Sequence, residues 1–210
     1  MTEGRRVARG WSEWLGDRVV NRGLDTSAHA IEPEHDHPDR VWYVPSSWHA
    51  LPRALYQLKV SDRDTFIDFG CGKGGVVHQA ARRPFRRVIG VEISPVLAEI
   101  ARSNLAARRH QHKCSDVEIV VSDAAEFPVP DDLTIAYLFH PFENETLDIV
   151  LSSIIESIDR RPRQVALIYV CPVQGFRVLE TGRFRRLKEQ PSRLLDPPWP
   201  PSPTAIYESR

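Results

Sequence analysis

The sequence predicts a doubly wound α/β fold: a mostly parallel seven-stranded sheet with an antiparallel C-terminal edge and an N-terminal helical extension. Apolar runs typical of buried parallel strands alternate with helical patterns between residues 65 and 170. The glycine-rich stretch 68–75 directly follows the first of these runs. A strand, a glycine turn and a helix in that order open a Rossmann-like unit.

The individual elements follow from apolar periodicity and from capping residues. The pattern predicts parallel strands over 65–68, 87–92, 117–121, 133–139 and 164–170, and helices over 74–82, 94–109 and 145–158. Two further runs, 182–189 and 204–207, predict a closing antiparallel hairpin. Ser46 or Ser47 is expected to cap a helix that runs to about Leu58 and covers one edge of the sheet.

The pattern divides the chain into an N-terminal extension with cap helices, residues 1–60, and a core domain, residues 61–210. A short amphipathic helix is expected within residues 11–20. Residues 32–39 gather histidines and carboxylates, but the prolines among them indicate an irregular, solvated loop. We therefore predict no metal site.

Composition limits the classes of partner and compartment. The 210 residues contain 28 Lys and Arg and 28 Asp and Glu, so no net charge attracts nucleic acid or an anionic membrane. The three cysteines are widely spaced, which favours a reducing cytoplasm over a disulfide framework. No apolar run reaches the roughly 18 residues that a membrane span needs. A small molecule or a protein is the expected substrate, and the sequence does not indicate an oligomeric state.

Asp68 decides which ligand the glycine turn would bind. The glycines Gly70, Gly72 and Gly75 satisfy the dinucleotide pattern G-x-G-x-x-G, which alone is weak evidence. A carboxylate at the strand tip would repel a pyrophosphate on the following helix N-terminus. It suits a ligand whose nearby end is an ammonium group. S-adenosylmethionine has an amino group, a sulfonium and no phosphate, so the sequence favours it over NAD.

Two more strand ends carry acids. Glu92 ends the second strand, about one βα unit beyond Asp68, where a carboxylate can accept from both ribose hydroxyls; a solvated strand-end glutamate is the alternative. Asp123 follows the third strand and could accept from an adenine amino group, although a turn-forming aspartate would look the same. All these ends lie at one edge of a parallel sheet, where ligands of open α/β sheets bind.

The stretch 68–142 resembles the class I, seven-strand S-adenosylmethionine-dependent methyltransferases. Residues 65–74 look like their first motif, 88–94 like the second, 122–124 like the third and 139–142 like the fourth. The resemblance implies that Asp68, Gly70, Gly72 and Gly74 surround the methionine part of the cofactor, that Glu92 holds the ribose and that Asp123 holds the adenine. The implied cofactor site consists of Asp68, Phe69, Gly70, Cys71, Gly72, Glu92, Ile93, Asp123, Ala124 and Phe139.

The fourth motif departs from the Asn/Asp-Pro-Pro-aromatic pattern of amino-group methylating branches. His140 replaces the amide or acid, and one proline remains before Phe142. His140 is the candidate catalytic base, because imidazole titrates near neutrality; a histidine that only orders the loop is the alternative. Phe142, Tyr43 and Trp48 are the candidate substrate contacts, the last two from position only. The nucleophile could be nitrogen or oxygen, on a small molecule or a protein.

Two rival functions stay open at this point. The altered fourth motif is compatible with a cofactor-binding module that no longer catalyses and acts through a partner. The literal glycine pattern is compatible with an NAD(P)-dependent oxidoreductase, against which Asp68 counts.

Overall fold

The computed structural model describes residues 24–25, 44–191 and 203–210. The strands in these ranges are β1 (Thr65–Phe69), β2 (Arg87–Glu92), β3 (Asp116–Val121), β4 (Leu133–Phe139), β5 (Ala166–Val170), β6 (Phe184–Gln190) and β7 (Thr204–Ser209). The helices are α1 (Ala50–Leu55), α2 (Gly75–Ala81), α3 (Pro95–Ala107), α4 (Asn144–Arg160) and α5 (Gly175–Glu180), with a 3₁₀ turn at Arg109–Gln111. In these ranges no helix combines the length and the apolar character needed to cross a membrane.

The seven strands form one sheet in the order β3-β2-β1-β4-β5-β7-β6. Strands β1 to β5 are parallel, and β7 runs antiparallel between β5 and β6. This architecture confirms the predicted mixed sheet and its antiparallel edge. The strand order reverses between β1 and β4, so the expected ligand crevice lies beyond the carboxyl ends of these two strands.

Both faces of the sheet are covered, which explains the continuous apolar character of the central strands. Successive residues of β1 point to opposite faces: Phe66 packs into the layer beneath α1, α2 and α3, and Ile67 into the layer beneath α4. Helix α4 buries Leu147, Val150 and Ile154 at helical spacing against the second layer. The two layers hold the β1 and β4 carboxyl ends in fixed register.

Helix α1 differs from its prediction. It begins at Ala50 with His49 as N-cap and without a side-chain capping bond. Ser46 does not cap it, because its Oγ lies 2.5 Å from the hydroxyl of Tyr137. Leu51 belongs to the core layer that contains Phe66, so α1 covers a face of the sheet and not an edge. The predictions for residues 11–20 and 32–39 lie outside the described residues.

Candidate active site

The turn after β1 has the backbone conformation that requires glycine. Gly70, Gly72 and Gly74 have φ of 77°, 52° and 76°, a region that side chains with a Cβ rarely adopt. The amides of Gly70 and Cys71 both donate to the carbonyl of Val91, at 2.8 and 3.0 Å. The turn is therefore fastened to β2, beside the second strand end.

Two of these glycines make room for the protein itself. A Cβ on Gly70 would lie 2.5 Å from Cβ of Pro141, and a Cβ on Gly74 would lie 3.0 Å from Cβ of Ala101 on α3. At these two positions the space is filled by the loop after β4 and by a neighbouring helix.

Asp68 and Glu92 form a buried acidic pair at the ends of β1 and β2, with only 3% and 6% of their surfaces exposed. Burial raises the pKa of Asp68 well above its ordinary value, and the charge of Glu92 raises it further. Burial also raises the pKa of Glu92, although the N–H groups of Ser94, Gly72 and Ile93 counteract it. The Glu92 carboxylate accepts from the amides of Gly72 at 2.7 Å and Ser94 at 3.0 Å.

The acidic pair fits a cationic ligand. Within the described ranges, no Lys, Arg or His side chain forms an ion pair with either carboxylate. Two buried carboxylates without a cation are costly, and a positively charged ligand would relieve that cost. The ammonium and sulfonium groups of S-adenosylmethionine match this site, whereas a pyrophosphate would add negative charge to it.

His140 follows β4 with an unusual backbone φ of 40°. Its Nε2 lies 2.8 Å from Oε1 of Glu143, and its Nδ1 lies 3.4 Å from the hydroxyl of Tyr169 on β5. Burial raises the pKa of Tyr169, so this hydroxyl stays protonated and can donate. The tautomer that satisfies all three groups carries its proton on Nε2, donates it to Glu143 and accepts from Tyr169 on Nδ1.

Comparison with known proteins finds a methyltransferase domain in this region. Residues 66–161 match the family model described as a methyltransferase domain. Over these residues the chain is similar to S-adenosylmethionine-dependent methyltransferases. The match covers β1 to α4, which carry the glycine turn, the acidic pair and His140. It confirms the predicted methyltransferase assignment and the choice of S-adenosylmethionine over a nicotinamide coenzyme.

A curated relative and two solved structures extend this comparison. A protein-lysine N-methyltransferase of Saccharolobus islandicus is 32% identical over 90 residues, which are 40% of this chain and 56% of that protein. The chain thus spans about half the length of the curated relative it matches. The crystal structure of a precorrin 8w decarboxylase from Methanobacterium thermoautotrophicum gives a TM-score of 0.58 at 20% identity, covering 80% of this chain and 92% of the other. An RNA methyltransferase from Salinibacter ruber, in complex with S-adenosylhomocysteine, gives 0.54 at 20%, covering 79% and 92%. At these identities the two structures show a shared fold alone.

The third motif of this methyltransferase lies beside the second. The amide of Ser122 donates to the carbonyl of Glu92 at 3.0 Å, which brings the loop after β3 to the acidic pair. Asp123 accepts from the amide of Ala125 at 3.0 Å, the geometry of a turn-forming aspartate. Ala124 is buried, and Ile93 is half-buried directly after Glu92. Their roles at the adenine and ribose stay predictions.

Phe69 and Cys71 direct their side chains into the protein. The Phe69 ring packs edge-on against Phe127, with ring centroids 6.2 Å apart. A Cβ on Gly90 would lie 2.7 Å from Sγ of Cys71, so the thiol packs against β2. These two residues can offer a cofactor only their main-chain groups. Phe139 is half-buried at the end of β4.

The candidate substrate residues that the structure describes differ in burial. Phe142 is 4% exposed and packs in the core layer beneath α4. Trp48 is half-buried and packs on His49, with ring centroids 3.2 Å apart. The same segment is tied to Tyr137, whose backbone pairs with Asp68. Tyr43 lies outside the described residues.

An N-terminal contact on the glycine turn was missed by sequence reasoning. Asp25 pairs with the buried Lys73 ammonium at 3.0 Å. Asn104 of α3 accepts from the Asp25 amide at 2.9 Å, and its side-chain amide donates to the carbonyls of Asp25 and Lys73 at 3.0 and 2.9 Å. A single asparagine on an amphipathic helix gives no signal of such a contact. Glu143 was missed as well, although its position three residues after His140 was a sequence signal that could have found it.

Across the described ranges, His, Cys, Asp and Glu form no group of three that could hold a metal ion.

Proposed function

We propose that this protein transfers a methyl group from S-adenosylmethionine to an amine of a protein, with the lysine ε-amine as acceptor. The buried Asp68–Glu92 pair at the glycine turn carries the cofactor part of this proposal. The acceptor part rests on the relative named as a protein-lysine N-methyltransferase, which is 32% identical over 90 residues.

The residues that would hold the cofactor are Asp68 at its amino group, Glu92 at the ribose and Asp123 at the adenine. The bound cofactor supplies a methyl group already activated by a sulfonium, so no metal is needed for the transfer. The chain then has to align the acceptor with that methyl group, and good alignment contributes roughly 7–11 kcal/mol in favourable cases.

The acceptor must also lose a proton, because a lysine amine with an ordinary pKa of about 10.4 is charged at neutral pH. In our proposal His140 takes this proton on Nδ1. The hydrogen bond that Nδ1 accepts from the Tyr169 hydroxyl is broken when the proton arrives. Glu143, 2.8 Å from Nε2, would stabilise the imidazolium that forms. His140 directly follows β4 and precedes Pro141, which packs against Gly70 of the glycine turn, and this position supports the role.

A labelling experiment tests the proposal. Purified protein with S-[methyl-³H]-adenosylmethionine is incubated separately with the protein fraction and the small-molecule fraction of a cell extract, and labelled protein is hydrolysed for methyllysine. We expect methyllysine from the protein fraction, and much less of it with the Asp68→Asn variant at a subsaturating cofactor concentration.

Three other results would contradict it. Label confined to the small-molecule fraction would overturn the protein acceptor, and label on serine or threonine would overturn the amine. Tight binding of S-adenosylhomocysteine without any transfer would favour the catalytically silent module.

A further inference from the structure

Arginines outside one surface of this protein are mostly ion-paired. Arg160 pairs with Asp131 at 2.8 Å, Arg183 with Asp159 at 2.5 Å, and Arg185 with Glu208 at 2.5 Å. Such pairs neutralise charge locally, so these parts of the surface present little net field.

A different surface is formed by Arg82 and Arg83 after α2, Arg109 after α3, and Lys113 before β3. We call these four residues the basic surface. All four are exposed, and none of them pairs with a carboxylate within the described part of the chain. Arg109 donates to the carbonyl of Ser115 at 2.7 Å, which fixes its side chain at the loop before β3.

Main-chain and side-chain bonds hold this surface together. The amides of Lys113 and Cys114 donate to the carbonyl of Ala81 at 2.8 and 3.0 Å, which places Lys113 beside the end of α2. Beneath the surface, Nδ1 of His78 lies 3.0 Å from Nε2 of His112. The four cations therefore form one contiguous patch on a supported backbone.

The two histidines report a positive local field. Burial, together with positive charges on His112, Arg82, Arg108 and His110, lowers the pKa of His78 to about 4. Burial likewise lowers the pKa of His112, and the positive charges of Arg109, His110 and Arg82 add to this effect. The charges that lower the pKa values of these two imidazoles are all cationic.

The chemistry of the patch favours phosphate over an acidic protein. Protein interfaces depend on buried apolar or aromatic anchors, yet the exposed large hydrophobic residues of the described ranges lie elsewhere, from Val44 to Leu187 with none between residues 97 and 120. Nucleic-acid interfaces are polar and positive, and arginine binds phosphate in a bidentate manner. The four residues bring no Phe, Tyr or Trp ring on which single-stranded bases could stack, so the patch suits the backbone of a duplex.

We propose that the basic surface binds the phosphate backbone of a double-helical nucleic acid without reading its sequence. The surface lies at the amino ends of β2 and β3, opposite the crevice that holds Asp68 and Glu92. This binding is therefore independent of methyl transfer. It would bring the enzyme to targets near nucleic acid.

Fluorescence anisotropy with labelled RNA and DNA duplexes of about 20 base pairs tests the proposal. Four phosphate contacts predict an affinity loss on the order of 100-fold between 50 and 200 mM salt. The double variant Arg82→Ala, Lys113→Ala should weaken binding at least about tenfold and reduce the logarithmic salt slope by about 2. The matched control is Arg185→Ala, Arg186→Ala, which removes two exposed but ion-paired arginines and should leave the affinity nearly unchanged.

The two duplexes distinguish RNA from DNA as the source of the phosphates, and binding of either one supports the proposal. Equal weakening in both double variants would overturn it, as would a salt-independent affinity of the wild type. Equally tight binding of labelled poly-glutamate of the same charge would assign the surface to an acidic protein instead. Thermal unfolding verifies that both variants are folded, and the wild-type salt dependence tests the proposal even if one is not.

Discussion

Gly70 lies directly against Pro141: a Cβ at position 70 would be 2.5 Å from the Pro141 Cβ. The glycine turn after β1 and the loop after β4 therefore pack as one unit at the point where the strand order reverses. Because His140 belongs to that loop, its position relative to the cofactor site depends on a residue without a side chain.

The first prediction concerns this contact. We expect Gly70→Ala to destabilise the protein by the strain of a positive φ, roughly 1–2 kcal/mol, and by overpacking against Pro141, about 1–3 kcal/mol more. Gly182→Ala is the matched control, since Gly182 has φ of 67° and no atom within 4 Å of its added Cβ. Comparing the free energies of urea unfolding of the two variants gives the contribution of the Pro141 contact. Equal destabilisation would show that Pro141 can move aside without a cost in stability.

The second prediction concerns Asp68. The neutral variant Asp68→Asn should weaken binding of S-adenosylhomocysteine at least about tenfold in calorimetry, because the ligand ammonium loses its countercharge. The ligand-free variant should be more stable than the wild type, because a buried carboxylate beside Glu92 is costly.

The size of the stability gain in Asp68→Asn depends on pH. The folded-state pKa of Asp68 is raised, so its cost is absent at acid pH and appears as pH rises through that pKa. The stability gain of Asp68→Asn should therefore grow with pH. The exposed-carboxylate control Glu126→Gln should change neither affinity nor stability. A gain that is constant from pH 4 to 9 would contradict this account.

The third prediction separates catalysis from binding at His140. His140→Ala should lower turnover at saturating substrate by about 10²–10⁴-fold, the usual contribution of a general base, with little change in S-adenosylhomocysteine affinity. Glu143→Gln keeps a hydrogen-bond acceptor but loses the negative charge that stabilises the imidazolium during proton transfer, so it should lower turnover, though by less than His140→Ala. Unchanged turnover in His140→Ala would leave only an ordering role for this residue.

The fourth prediction concerns the buried His78–His112 pair. The folded-state pKa of His78 is lowered from 6.5 to about 4, so its neutral form stabilises the fold above pH 6.5. This stabilisation is lost as pH falls from 6.5 through 4, by at most about 3 kcal/mol. Urea unfolding of wild type and His78→Gln at pH 7 and pH 4 measures it. Their stability difference should shift in favour of the variant at pH 4, and a difference that stays constant would place His78 in contact with solvent.

The sequence predicted the core elements closely because strand and helix patterns are local. The bounds of β2 and β4 agree with the apolar runs 87–92 and 133–139, and the apolar stripe of α4 predicted its buried face. Helix α5 was missed, because Gly175–Glu180 is too short to show a helical period. The capping role of Ser46 was wrong, because a hydrogen bond to Tyr137, 91 residues away, competes with the local cap.

The sequence by itself determined the fold class, the glycine turn, the acid at its strand tip and the resemblance to methyltransferases. Each of these is written in a short stretch of neighbouring residues. Only the tertiary structure decided that Gly70 accommodates Pro141 and that His140 lies between Glu143 and Tyr169. It also decided that a chain of zero net charge gathers on one surface four cations that form no ion pair with any described carboxylate. These features join residues far apart in the chain, and the physical reason is that packing and charge pairing depend on distance in space.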